Sequence, residues 1–383
     1  MTGGYSFSLS ESQNLLASSA EAFSREVIIP VAAGFDESGE FPFEIISQAK
    51  QLGLFNIIVP ENLSGSGLSS LDAILVIEKL SYGCAGVTTS IVANDLALQP
   101  ILIAGTDQQK ERFVKHIAEK GSLASFCLSE PGAGSDAASL QSRLTSVKDG
   151  YFLTGSKQWI TNGGLADQFT VFATTDPAKK HKGICCVVVD GNTPGITRGH
   201  HENKLGQRCS NTVSLNFNEV FVEKDRLIGG EGEGFSIAMK TLDMTRPMTA
   251  AIAVGIADRA LSEALMYSKE RKQFGQPIFS FQAIQHILAD SATEIEAARL
   301  LTYQAAWLAD QGQKNSLQSS MAKRFAADMA MKVTTDAVQV FGGYGYTKEY
   351  PVEKLMRDAK LMQIYEGTSQ VQRIVIAKEL RDS

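Results

Sequence analysis

The most constraining feature of this sequence is a change of texture that happens twice. Up to about residue 122, apolar residues recur at helical spacing. From there to about residue 228 the chain breaks into short β-type runs. After GGEGEGF it becomes helical again. The order is therefore helices, a β domain and helices again. The expected fold is mainly α with a central β domain, divided into helical residues 1–122, β residues 123–232 and helical residues 233–383.

In the first part, Ser10 and Gln13 have the spacing of a capping box. Leu15, Leu16, Ser19, Phe23 and Val27 then mark one helical face, with Pro30 as its stop. Further helices are expected over 43–53, 71–82 and 107–119. The middle part holds YFLTG, FTVFATT, GICCVVVD and VSLNFNEVFV, separated by turn residues. In the last of these, Leu215 and Phe217 and, after a slip, Val220 and Val222 read as one buried face. The third part reads as a helix ending near Arg271 and others over 282–310, 317–340 and 369–380. Gly312 and Gly342–Gly343 act as stops, and Ser369 is the expected cap of the last helix.

The 383 residues suffice for two or three domains. A net charge of −6 argues against a nucleic-acid binder. Cys84, Cys127, Cys185, Cys186 and Cys209 form no CxxC and read as reduced core thiols in a reducing compartment. MTGGYSFSLSESQ lacks the features of a secretory signal. No uninterrupted apolar run approaches the ~18 residues of a membrane span. The five histidines lack metal-ligand spacing, so no metal is expected, and no serine sits in a GxSxG context.

Several segments could carry chemistry, each with a plainer alternative. SEPGAGSD is either an anion-binding glycine loop or a linker turn. In KQWITNGG, Trp159 either stacks on a flat ring or fills a core at a strand end. In ERKQFGQPIFSFQ, Arg271 either meets a phosphate or favours the negative end of its own helix. QVFGGYGY follows a helix rather than a strand, so it is no dinucleotide fingerprint. Glu366 in IYEGTSQVQR is either a desolvated base or a solvated loop carboxylate.

LGLFNIIVPEN, SYGCAGV, IAGTDQQKERF, SEPGAGSD, KQWITNGG, LGQRCSNT, MTRPMTAA, ERKQFG, QVFGGYGY and EYPVEKLMRDAK follow one another in an order that resembles the acyl-CoA dehydrogenase family, closest to its medium-chain type. The resemblance spans the whole chain. It implies an N-terminal helical domain, a β-barrel-like middle domain and a C-terminal four-helix bundle. It also implies FAD as cofactor, in a homotetramer that desaturates an acyl-CoA in fatty acid β-oxidation and passes electrons to an electron-transferring flavoprotein. By the same resemblance, Phe126, Leu128, Ser129, Trp159, Ile160 and Thr161 line the flavin ring. Arg271, Phe274, Phe281, Gln282, Gln339, Val340, Gly342 and Gly343 hold the FAD of a neighbouring subunit. Thr368 and Gln370 complete the FAD site. Ser135, Asp243, Arg246, Tyr365 and Gly367 line the path of the CoA thioester. The implied compartment is the mitochondrial matrix in a eukaryote and the cytoplasm in a bacterium.

The implied mechanism has Glu366 take the α-proton while the β-hydrogen passes as hydride to flavin N5. Relatives with the base on another helix carry it at the position of Thr245, which is no carboxylate here. The helix near 84–96 lacks the Arg that would pair a dicarboxylyl substrate. Ser129 replaces a common Thr, Gln273 replaces a Thr and Val92 replaces a Glu at the pocket floor, which predicts a deeper pocket. The competing readings are an acyl-CoA oxidase, for which the chain is short, a short- or branched-chain dehydrogenase, and a non-catalytic relative of the same fold.

Overall fold

The computed structural model describes residues 8–382. Met1–Phe7, part of the stretch read above for a secretory signal, lie outside them. The chain begins with α1 (Glu11–Phe23), opened by the expected capping box: Gln13 N–H donates to Ser10 Oγ, and Ser10 N–H to Gln13 Oε1. Pro30 does not stop this helix. A π turn over Ser24–Ile28 carries it into α2 (Ile29–Ser38), whose second residue is Pro30. Next come α3 (Phe43–Gln51), α4 (Ser70–Gly83), α5 (Ala85–Ala104), α6 (Asp107–Gln109) and α7 (His116–Lys120). By length and composition α5 is apolar enough to cross a membrane. Here it is a core helix, buried along most of its length against α4, the first strand and the long helix that opens the third part.

The sheet comprises β1 (Ala124–Cys127), β2 (Arg143–Val147), β3 (Gly150–Thr161), β4 (Gln168–Thr174), β5 (Ile184–Asp190), β6 (Ile196–Arg198), β7 (Thr212–Glu223) and β8 (Leu227–Ile228). Its order is β6-β7-β3-β2-β4-β5-β8, with β1 parallel to β4. β4 and β5 are buried on both faces; β5 is accordingly a continuous apolar run, and the buried Thr170 of β4 donates to the Ala97 carbonyl. The pleat sends Cys185 into one core and Cys186 into the other. The slip in β7 is a bulge. Glu219 has φ 51°, and the pairing with β3 jumps between Leu153 and Gly155, which returns Val220 and Val222 to the buried face.

The third part opens with α8 (Gly234–Glu270), 37 residues and roughly 55 Å long. A short ribbon of β9 (Lys272–Gln273) and β10 (Gln276–Pro277) leads to α9 (Gln282–Asp310) and α10 (Ser316–Phe341). α11 (Val352–Met362) and α12 (Ser369–Asp382) follow. α10 packs against α8, α9, α11 and α12, and its buried face includes Ala322, Ala326 and Ala330. Gly312 and Gly342 take positive φ at the ends of α9 and α10, as their stop roles require. The cap of α12 is one residue earlier than expected. Thr368 Oγ1 accepts from the N–H of Val371, whereas Ser369 Oγ turns to Asp328. Gln372, three residues on, turns its amide to the carbonyls of the preceding link.

Candidate active site

Glu366 lies in the link between α11 and α12. It has φ 57° and Gly367 φ 86°, two consecutive residues in the left-handed region. For a glutamate this is strained backbone, held only where the surroundings fix it. Three contacts do so. Lys323 Nζ, from α10, donates to the Gly367 carbonyl at 2.6 Å. Gln372 Nε2 lies between the carbonyls of Glu366 and Gly367 at 3.0 and 3.1 Å. The N–H groups of Glu366 and Gly367 donate to no acceptor among the described residues.

The Glu366 carboxylate is partly buried and meets α8. Thr245 Oγ1 is 2.9 Å from Oε2 and 3.1 Å from the Thr241 carbonyl, so one hydroxyl proton has two acceptors. Burial pushes the Glu366 carboxyl above the usual carboxylate range, against the opposing pull of the Thr245 hydroxyl and the charges of Arg246 and Lys323. Arg246 is buried and paired with Asp243 at 2.6 Å, and Asp243 is anchored by Ser316. Tyr365 turns its hydroxyl to Met362 Sδ and Thr89 Oγ1.

A second group forms where β1 meets β3. Gln158 N–H donates to the Ser129 carbonyl, and Lys157 Nζ to that of Leu128. These bonds set Phe126, Leu128 and Ser129 beside Trp159, Ile160 and Thr161. Beneath them Lys157 and Glu130 form a buried ion pair at 2.7 Å. Trp159 is 61% exposed at φ 62°, which rules out the core-filling alternative.

The third group surrounds the end of α8. Arg271, Val340, Gly342 and Gly343 line a cavity of about 470 Å³, together with Tyr267, Gln273 and Tyr344. The Arg271 guanidinium lies over the Tyr344 ring. Phe274 is 93% exposed at φ 52°, edge-on to Phe281, and a side chain added at Gly342 or Gly343 would meet open space. Gln282 and Gln339 are exposed close by in sequence. Two large aromatics held out of any core by left-handed backbone, with an arginine and an open glycine turn, fit a flat ring system carrying phosphates.

The three groups are not all one site within a single chain. Arg271 follows the last turn of α8, roughly 39 Å along the helix from Thr245. Thr368 is half-buried at its cap, while Gln370 and Ser135 are exposed. Among the described residues no cluster of His, Cys, Asp or Glu could hold a metal. Lys323, Gln372 and the Glu130–Lys157 pair were not singled out in the sequence as site residues. Lys323 had a signal: it is the one cation in the apolar stripe of Ser319, Ala322, Ala326 and Ala330.

Comparison with known proteins agrees with this geometry. Residues 10–121, 125–220 and 232–381 match the N-terminal, middle and C-terminal domains of acyl-CoA dehydrogenases. The chain is 45% identical over 378 residues to the probable medium-chain specific acyl-CoA dehydrogenase 2, mitochondrial, of Caenorhabditis briggsae, covering 98% of this chain and 92% of that one. It is 44% identical over 377 residues to the cyclohexane-1-carbonyl-CoA dehydrogenase of Geobacter metallireducens, covering 98% of each. The solved butyryl-CoA dehydrogenase of Megasphaera elsdenii shares 43% identity and a TM-score of 0.96, over 98% of this chain and all of that one. Matched in all three parts, in order and along nearly its whole length, the chain belongs to the acyl-CoA dehydrogenase family of FAD-dependent oxidoreductases.

Proposed function

We propose that this dehydrogenase desaturates a medium-chain fatty acyl-CoA to the trans-2-enoyl-CoA, with Glu366 as the base for the α-proton. The observation that carries the reading is the Glu366 carboxylate, partly buried, set at 2.9 Å from Thr245 and raised in pKa by burial. A carboxylate whose pKa is raised in this way is a stronger proton acceptor than one in solvent. The unengaged N–H of Glu366 is available to the thioester oxygen, where charge develops as the proton leaves. When bound, FAD would supply the acceptor for the β-hydrogen and its electron pair, which completes the Cα–Cβ double bond once Glu366 holds the α-proton. Phe126 to Ser129 and Trp159 to Thr161 would hold its ring, and Thr368 and Gln370 would complete that site. Asp243, Arg246, Tyr365, Gly367 and Ser135 would line the thioester path.

The length of α8 supports a shared site, with Arg271, Phe274, Phe281, Gln282, Gln339, Val340, Gly342 and Gly343 serving a neighbouring subunit of a homotetramer. The reading includes the division at 1–122, 123–232 and 233–383, an electron-transferring flavoprotein as acceptor, and the matrix or bacterial cytoplasm as compartment. Val92, buried on α5, favours chains longer than four carbons.

The test is anaerobic bleaching of the flavin by straight and branched acyl-CoAs of rising length. Glu366→Gln is expected to stay yellow and lose bleaching by at least about 10²-fold. Normal bleaching by that variant overturns the base, and a profile peaking at four carbons overturns the chain-length reading. Peroxide formation in place of flavoprotein reduction would reassign the acceptor to oxygen.

A further inference from the structure

Lys323 is fully buried on α10, yet its ammonium faces a backbone carbonyl and no ion pair ties it to a carboxylate among the described residues. A charge in that position is unfavourable for folding. Burial pushes its pKa down to about 7. The charged groups that act on it are Glu366 in the link, Arg246 on α8 and Asp328 on α10; Asp243 on α8 pairs with Arg246, and Arg373 on α12 with Asp328. Asp328 is already engaged by Gln363, Ser369 and Arg373, and Asp243 by Arg246 and Ser316. Glu366 is the carboxylate left with a hydroxyl as its partner.

We propose that Lys323 is a positioning residue for the base, holding the Gly367 carbonyl so that the left-handed Glu366–Gly367 turn presents its carboxylate, and lending positive charge that keeps that carboxylate ionised. This deepens the reading of Glu366 given above and rests on it. The geometry separates two contributions. The hydrogen bond to Gly367 fixes the turn, a task shared with Gln372. The charge acts on Glu366 through low-dielectric surroundings and has no substitute among neutral residues. A residue retained only for the scaffold would have no reason to be a cation, because an apolar side chain of the same length fills the space without desolvating a charge.

The test uses the FAD-loaded enzyme with Lys323→Met and Lys323→Gln, read by anaerobic bleaching across pH and by thermal melting. Removing the charge raises the Glu366 pKa, so the acid limb of the bleaching rate moves to higher pH in both variants. The rate near neutral pH falls about tenfold or more. Lys323→Gln keeps a donor for Gly367 and recovers rate at high pH, where Lys323→Met stays slow. Both variants melt no earlier than the parent. An acid limb that stays in place in either yellow variant overturns the proposal. So does a Met variant that melts earlier or loses FAD, which assigns Lys323 to the scaffold. If Glu366→Gln stops bleaching while both Lys323 variants behave as the parent, this inference alone fails. If Glu366→Gln bleaches normally, the reading beneath it fails.

Discussion

Thr245 has one proton and two acceptors, and the choice affects catalysis. When the hydroxyl faces Glu366 it favours the ionised carboxylate; when it faces the Thr241 carbonyl it does not. Thr245→Val removes the choice at almost constant volume. The Glu366 pKa then rises further, so the acid limb of flavin bleaching is expected at higher pH, with the rate at high pH nearly unchanged; a titration of single-turnover rates measures this. Glu366 by itself reads as a loop carboxylate, and only its neighbours in order change that reading. Its contact with Thr245 bridges 121 positions of sequence, and its φ of 57° leaves no trace in composition. The sequence therefore points to the base and says nothing of what tunes it.

At the level of elements, buried charge holds the β1–β3 junction. Glu130 accepts from Lys157 Nζ and from the N–H groups of Gln141 and Ser142. Burial lifts its pKa, and Lys157 with those N–H groups outweighs the lift, leaving it below the usual range. At Lys157 burial wins, and its pKa is lowered despite the pair. Glu130→Ala strands that ammonium and is expected to cost about 3–5 kcal/mol in denaturant unfolding, with loss of FAD. Because the folded pKa of Glu130 is depressed, its contribution is complete above the unfolded carboxylate pKa and fades as pH falls through the folded one. The gap between parent and variant should therefore narrow in acid. Thr368→Ala removes the α12 cap and should lower stability by about 1 kcal/mol, seen as an earlier melt. Helices and strands were largely legible from period, and their ends less so. Pro30 continues a helix and Thr368 caps one because a π turn and the pull of Asp328 on Ser369 belong to tertiary structure.

At the level of the whole molecule, α8 joins the base region to the Arg271 corner at a separation no single chain folds away. If the site is shared, two dead variants should rescue one another. Glu366→Gln mixed with Arg271→Ala leaves one intact site in each mixed pair, so turnover should return to about a quarter of the parent under random pairing. No recovery after mixing, with pairing verified by mass, would place all FAD contacts within one chain. The helix–sheet–helix order was legible, but the distance between the two ends of α8 became meaningful only once its continuity through Pro247 was seen. The burial of α5 has a consequence for synthesis. This apolar helix leaves the ribosome about 130 residues before α8, which covers it, begins to emerge. At 5–20 residues per second, translation leaves the face that α8 covers bare for roughly 7–26 s. During that interval the nascent chain presents an apolar helix face with the composition of a membrane anchor, the kind of surface a holding chaperone binds.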